Sequence, residues 1–127
     1  MVVDDELQIV AALQDLLEEE GYRVIPACGG REALRLLSSE PLPDLVLTDL
    51  MMPDLDGHAF LAELRQDRRL ADLPAVVTSA AFPAAVRLPE GCRFLAKPFD
   101  IVQMLDMIEE LMKQRAVASS GALAMSA

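Results

Sequence analysis

The sequence predicts an α/β domain with a mostly parallel sheet, because short apolar runs alternate along it with amphipathic stretches of helical spacing. The runs are unbroken: Leu45-Val46-Leu47-Thr48 carries no polar side, as suits a strand covered on both faces. Four runs also end in residues suited to phosphoryl chemistry, namely Val2-Val3 at Asp4-Asp5, Leu45–Thr48 at Asp49, Ala75–Thr78 at Ser79, and Phe94–Ala96 at Lys97-Pro98. In an open parallel sheet ligands sit outside the carboxyl ends of the strands, so these residues are expected to converge.

Taken in order, Met1 to Val3 is a very short first strand. A helix follows to about Glu20, with Ile9, Val10, Leu13, Leu16 and Leu17 on one face, and Gly21 stops it. Tyr22 to Ala27 reads as the second strand. Gly29-Gly30 then turns the chain into a helix around Ala33, Leu34 and Leu37, closed by Pro41–Pro43. Leu45 to Thr48 is the third strand, and the loop Leu50–Gly57 carries Pro53, Asp54 and Asp56. Phe60, Leu61 and Leu64 mark the next helix, and Pro74 opens a strand that ends near Thr78. Pro83 and Pro89 leave the segment from Phe82 to Gly91 room for about one or two helical turns. Arg93 to Ala96 is the fifth strand. In the last helix Ile101, Met104, Leu105, Ile108, Leu111 and Met112 recur at helical spacing. Asp100 caps that helix, with Gln103 completing a capping box. From about Arg115 the composition can build no core, so 1–114 reads as one domain and 115–127 as a flexible tail or linker.

The bulk composition narrows the function. The chain of 127 residues fits one domain, and no apolar run reaches the ~18–20 residues of a membrane helix. Acidic residues near the N-terminus argue against a secretory signal, so a cytoplasmic protein without a membrane partner is expected. Cys28 and Cys92 read as reduced thiols, both buried or half-buried. A net charge of −10 opposes the phosphate backbone of DNA, so direct nucleic-acid binding is not expected.

Chemistry at the strand ends follows from charge. Two carboxylates ~4 Å apart repel by about 4 kcal/mol at an effective dielectric of 20. Asp4, Asp5 and Asp49 therefore need a compensating cation, and Mg²⁺ suits them because it takes oxygen ligands from one or two carboxylates, water and phosphate. Each residue alone has an ordinary explanation: an aspartate as helix cap, Asp49 to Gly57 as turn chemistry, Ser79 as a loop serine, Lys97 as a surface lysine. Their joint order and spacing favour the functional reading. His58, the single histidine, reads as an exposed first-turn helix residue.

These motifs resemble the receiver domain of two-component response regulators. The resemblance rests on Val2-Val3-Asp4-Asp5-Glu6, on Asp44 to Gly57, on Pro74 to Ala80, and on Phe94-Leu95-Ala96-Lys97-Pro98-Phe99, and it spans about residues 1–114. It implies a flavodoxin-like, doubly wound five-stranded sheet in the order 2-1-3-4-5. It also implies that Asp49 is the phosphoacceptor and that Asp5 ligates Mg²⁺ (or Mn²⁺) directly, with Asp4 acting through water and the Met51 carbonyl completing the set. Lys97, Ser79 and the Ala80 N–H would bind the phosphoryl oxygens, Ser79 and Phe94 would form the switch, and Lys97–Pro98 would be a cis bond. The implied partners are a sensor histidine kinase or phosphotransfer protein and a downstream protein, in a phosphorelay where the chain is a signalling module rather than an enzyme, stand-alone or part of a larger regulator.

The chain departs from the family pattern in three places. The first strand has a short lead-in, which suggests a start site placed late. Only 18 positions separate Ser79 from Lys97, so a short or irregular fourth helix and an atypical partner surface are expected. Phe94 stands at the aromatic position of the fifth strand and has no hydroxyl, so it would act by packing, or serve as a plain core aromatic. A phosphatase on a similar fold would want an acid two residues after the nucleophile, where this chain has Met51. A module that no longer takes phosphate is disfavoured by the full set of acceptor-site residue types.

Overall fold

The computed structural model describes residues 1–39, 41–80 and 87–126, with the side chains of the last helix up to residue 116. Its elements are β1 (Val2–Val3), α1 (Leu7–Glu19), β2 (Pro26–Ala27), α2 (Gly30–Ser39), β3 (Val46–Asp49), α3 (Gly57–Gln66), β4 (Ala75–Ser79), β5 (Cys92–Ala96) and α4 (Ile101–Ser126). All five strands pair in parallel, in the order β2-β1-β3-β4-β5. This is the doubly wound arrangement, with the order reversing between β1 and β3.

The central strands bury both faces. Every residue of β3 and β4 is buried, and successive side chains go to opposite sides. On one side Val3, Val46, Ala75 and Val77 meet Ala33 and Leu37 of α2 and Phe60, Leu61 and Leu64 of α3. On the other, Val2, Leu47, Val76 and Leu95 meet Val10 and Leu17 of α1 and Met104, Met107, Ile108 and Leu111 of α4. Phe60, Leu61 and Leu64 are fully enclosed, each contributing about 1.5–3 kcal/mol through the apolar area it removes from water.

Local chemistry sets the helix ends. Gly21, at φ +94°, takes the left-handed conformation that ends α1, and the N–H of Tyr22 returns to the carbonyl of Leu17 at 3.0 Å. Asp56 caps α3 by accepting from the Ala59 N–H at 2.9 Å. Asp100 accepts from the Val102 N–H at 2.8 Å at the start of α4. Arg65, at the end of α3, fixes the turn before β5 by donating to the carbonyls of Leu73 at 2.8 Å and Glu90 at 3.2 Å.

Three expectations change. The second strand was expected over Tyr22–Ala27, but its ladder is Pro26–Ala27, because a strand is only as long as its partner and β1 offers Val2 and Val3. At that end of the sheet Tyr22–Ile25 and Pro41–Leu45 line a cavity of about 580 Å³, and the Met1 ammonium donates to the Leu45 carbonyl at 2.9 Å. The backbone of α4 is helical to Ser126, through residues that read as a flexible tail. That composition argued against a core, not against a helix, and alanine, leucine and methionine are strong helix formers. Cys28 is exposed rather than buried, since it sits in the bend after β2, whereas Cys92 is half-buried; both are free thiols. The short fourth helix expected within Phe82–Gly91 falls largely on 81–86, outside the described residues; 87–89 have no regular structure.

Candidate functional site

The carboxyl ends of β1, β3 and β5 bring four charged side chains together. One carboxylate oxygen from each of Asp4, Asp5 and Asp49 lies within 4.8 Å of the others. The Lys97 ammonium stands 3.4 Å from Asp49 Oδ1 and 3.8 Å from Asp4 Oδ2. Asp4 and Asp49 are buried and Asp5 is exposed, so the cluster opens to solvent on one side. The peptide Lys97–Pro98 is cis, as expected.

Electrostatics follow from that packing. Burial pushes the Asp4 carboxyl above its ordinary value, and the charges of Asp49 and Asp5 add to the effect. The Glu6 N–H, donating to Asp4 Oδ1 at 2.9 Å, and the Lys97 charge work against it. Three carboxylates against one ammonium leave two negative charges uncompensated. A hard divalent cation fits that donor set in charge and in ligand type.

The remaining residues arrive by strand register. Asp49 pairs with Thr78, so Ser79 begins one step beyond it; Ser79 is buried, and its carbonyl accepts from the Lys97 N–H at 2.8 Å. Ala80 follows, exposed. The Met51 N–H donates to Asp49 Oδ1 at 3.3 Å, while the residue as a whole is 72% exposed, leaving an apolar group beside the opening. Phe94 pairs with Val77 and Ala96 with Ser79, which puts Phe94 and Ser79 on one sheet face. His58 is exposed in the first turn of α3 and takes no part.

The loop after Asp49 is held more firmly than its composition suggests. The Leu50 N–H donates to Thr78 O at 2.9 Å, and the Gly57 N–H donates to Leu50 O at 2.8 Å. Gly57 leaves no room for a side chain: a Cβ there would stand 2.6 Å from the Leu50 Cα. Sequence reasoning missed Asp54, which it took as turn chemistry. Its carboxylate accepts from the N–H groups of Arg31 at 3.1 Å and Gly30 at 3.4 Å, in the first turn of α2. The partners lie 23 and 24 positions apart in sequence, beyond any local motif.

Residues 1–109 match the family model for the response regulator receiver domain. The chain is 36% identical over 127 residues to the response regulator Rre1 of Synechocystis, covering 95% of this chain and 54% of that protein. It is 34% identical over 123 residues to the alkaline phosphatase synthesis transcriptional regulatory protein PhoP of Bacillus subtilis, covering 94% and 50%. The chain thus spans about half the length of these curated relatives. Among solved structures, the receiver domain of the Francisella response regulator 1452 matches with a TM-score of 0.79 and 31% identity, over 89% of this chain and 94% of that one. The receiver domain of a signal transduction histidine kinase from Syntrophus aciditrophicus matches with a TM-score of 0.78 and 28% identity, over 89% and 88%.

Proposed function

Because this chain belongs to the response regulator receiver domain family, we propose that Asp49 is its phosphoacceptor. The donor is the phosphohistidine of a sensor histidine kinase or phosphotransfer protein. An Asp49 carboxylate oxygen attacks phosphorus, the P–N bond breaks with its electron pair leaving on the imidazole, and an aspartyl phosphate remains. One observation carries this reading: the Lys97 ammonium lies 3.4 Å from Asp49 Oδ1, among two further carboxylates, a set of charges that suits a phosphoryl group and a cation together.

Asp4, Asp5, Asp49 and the Met51 carbonyl would hold Mg²⁺ or Mn²⁺. When bound, the cation neutralises charge that develops on the transferring phosphoryl oxygens. Lys97 supplies a fixed positive charge from the β5 side. Ser79 and the Ala80 N–H bind phosphoryl oxygens, and Phe94, on the same sheet face as Ser79, repacks in response. The resulting two-state change alters affinity for a downstream protein partner. Residues 1–114 form the receiver and 115–127 the connecting segment, and the protein works in the cytoplasm.

The test is direct. The protein incubated with Mg²⁺ and a small-molecule phosphodonor should gain one acid-stable, base-labile phosphoryl group. No labelling, or labelling that survives Asp49→Ala, sinks the proposal.

A further inference from the structure

The loop Leu50–Asp56 is fastened at its ends, by Thr78 of β4 and Gly57 at Leu50 and by Ala59 at Asp56. Between those points Met52 is buried in the core and Leu55 packs against it beside Gly30, and among the described residues the hydrogen bonds that the loop's own side chains make to another element are those of Asp54 to α2. Two further observations show that both sides are built for that contact. Gly29 is the N-cap of α2, since its carbonyl accepts from the Ala33 N–H at 3.0 Å, yet it has no side chain with which to cap. A Cβ on Gly29 would stand 2.6 Å from Asp54 Oδ2. The cap that Gly29 lacks is thus supplied by Asp54, through the space that Gly29 leaves open.

We propose that Asp54 is a positioning residue for the cation site, holding the loop that carries the Met51 carbonyl in its binding position by anchoring it to the N-terminus of α2. This rests on the reading of the acidic cluster as a cation site. Of the expected ligands, Asp4, Asp5 and Asp49 are set by strand ends, whereas Met51 sits on the loop. Its carbonyl is only as well placed as the loop is fixed, and a ligand that must be ordered on binding weakens the complex. The anchor is electrostatically sound. Slight desolvation raises the Asp54 carboxyl, but the N–H groups of Arg31, Leu55 and Gly30 outweigh it and bring the carboxyl below its ordinary value. The positive end of the helix dipole favours the same charge.

The experiment measures Mn²⁺ affinity by electron paramagnetic resonance on the full chain, without a phosphodonor. Asp54→Ala should weaken Mn²⁺ binding by about tenfold, the low end for losing a group that supports metal ligands. Asp54→Asn keeps an acceptor oxygen and should recover part of that loss. Gly29→Ala displaces Asp54 from the α2 side and should weaken binding in the same direction, so the case does not depend on one variant folding. Ile108→Val, in the core on the far side of the sheet, lowers stability and should leave Mn²⁺ affinity unchanged. Asp54→Ala with the affinity of wild type, or with no more loss than Ile108→Val, overturns the positioning role alone. A wild-type chain that binds no Mn²⁺ overturns the cation site and this role with it.

Discussion

Replacing Asp4 by asparagine should stabilise the metal-free protein, although it removes a charged partner of Lys97. At 4.8 Å, the outer limit within the cluster, two carboxylates repel by about 3.5 kcal/mol at an effective dielectric of 20, and Asp4 faces both Asp49 and Asp5. Lys97 at 3.8 Å returns about 4.4 kcal/mol on the same scale. Asp5 is exposed and the lysine side chain is 27% exposed, so solvent screens both of those terms. The burden of burying the Asp4 charge remains. Asparagine keeps the shape and still accepts from the Glu6 N–H. The net gain should be about 1–2 kcal/mol, or about 4–8 °C in Tm for a domain of this size. The sign can be checked against pH. The folded Asp4 carboxyl lies above its unfolded value, so its charge is a burden at neutral pH that fades as the pH falls through the folded value. The advantage of the variant should shrink in the same range. With Mg²⁺ at 100 times its Kd the wild type gains about 2.7 kcal/mol and Asp4→Asn gains far less, so the order of stabilities reverses. Thermal unfolding followed by circular dichroism, in EDTA and in Mg²⁺, reads both effects. A variant less stable than wild type in EDTA would refute the reasoning.

Two other perturbations probe the frame around the site. Gly57→Ala forces a Cβ against the Leu50 Cα and should cost about 1–3 kcal/mol in urea unfolding, with slower Asp49 labelling because Leu50 is displaced. A wild-type midpoint would show that the loop has slack there. Burial holds the Met1 α-amino group at about 6, against 8.0 for an exposed one, partly offset by Asp44. Between those values the unfolded chain keeps a proton that the folded chain gives up, so stability should climb by up to about 2.7 kcal/mol from pH 6 to pH 8. Acetylating Met1 should flatten the climb, and a profile already flat without acetylation counts against the buried amine.

Where the sequence reading succeeded, the information was local. The apolar runs and the residue that ends each one lie side by side in the chain, so the strand ends at Asp4, Asp49 and Ser79 could be read before the sheet was known, whereas the cis bond at Pro98 followed from the family resemblance. It fell short where a property belongs to a pair of distant segments. The length of β2 is set by what β1 can pair with, not by the strand-forming residues Tyr22–Ile25. The Asp54 cap joins two loops that each look complete as turns, and the Gly29-Gly30 pair was its one visible trace. Arg65, at the end of α3, likewise joins distant segments by spanning to Leu73 and Glu90.

The two faces of the sheet are covered by helices of different composition. On one side α2 and α3 present leucine, alanine and one phenylalanine to the sheet, with no methionine among them. The α4 side rests on Met104 and Met107, unbranched side chains that repack with little penalty. The 26-residue α4, about 39 Å long, meets that face through Met104, Met107, Ile108 and Leu111. Oxidation of Met104 or Met107 to the sulfoxide would place a polar group in the seat of α4, a lesion that acts on helix packing rather than on the acidic cluster.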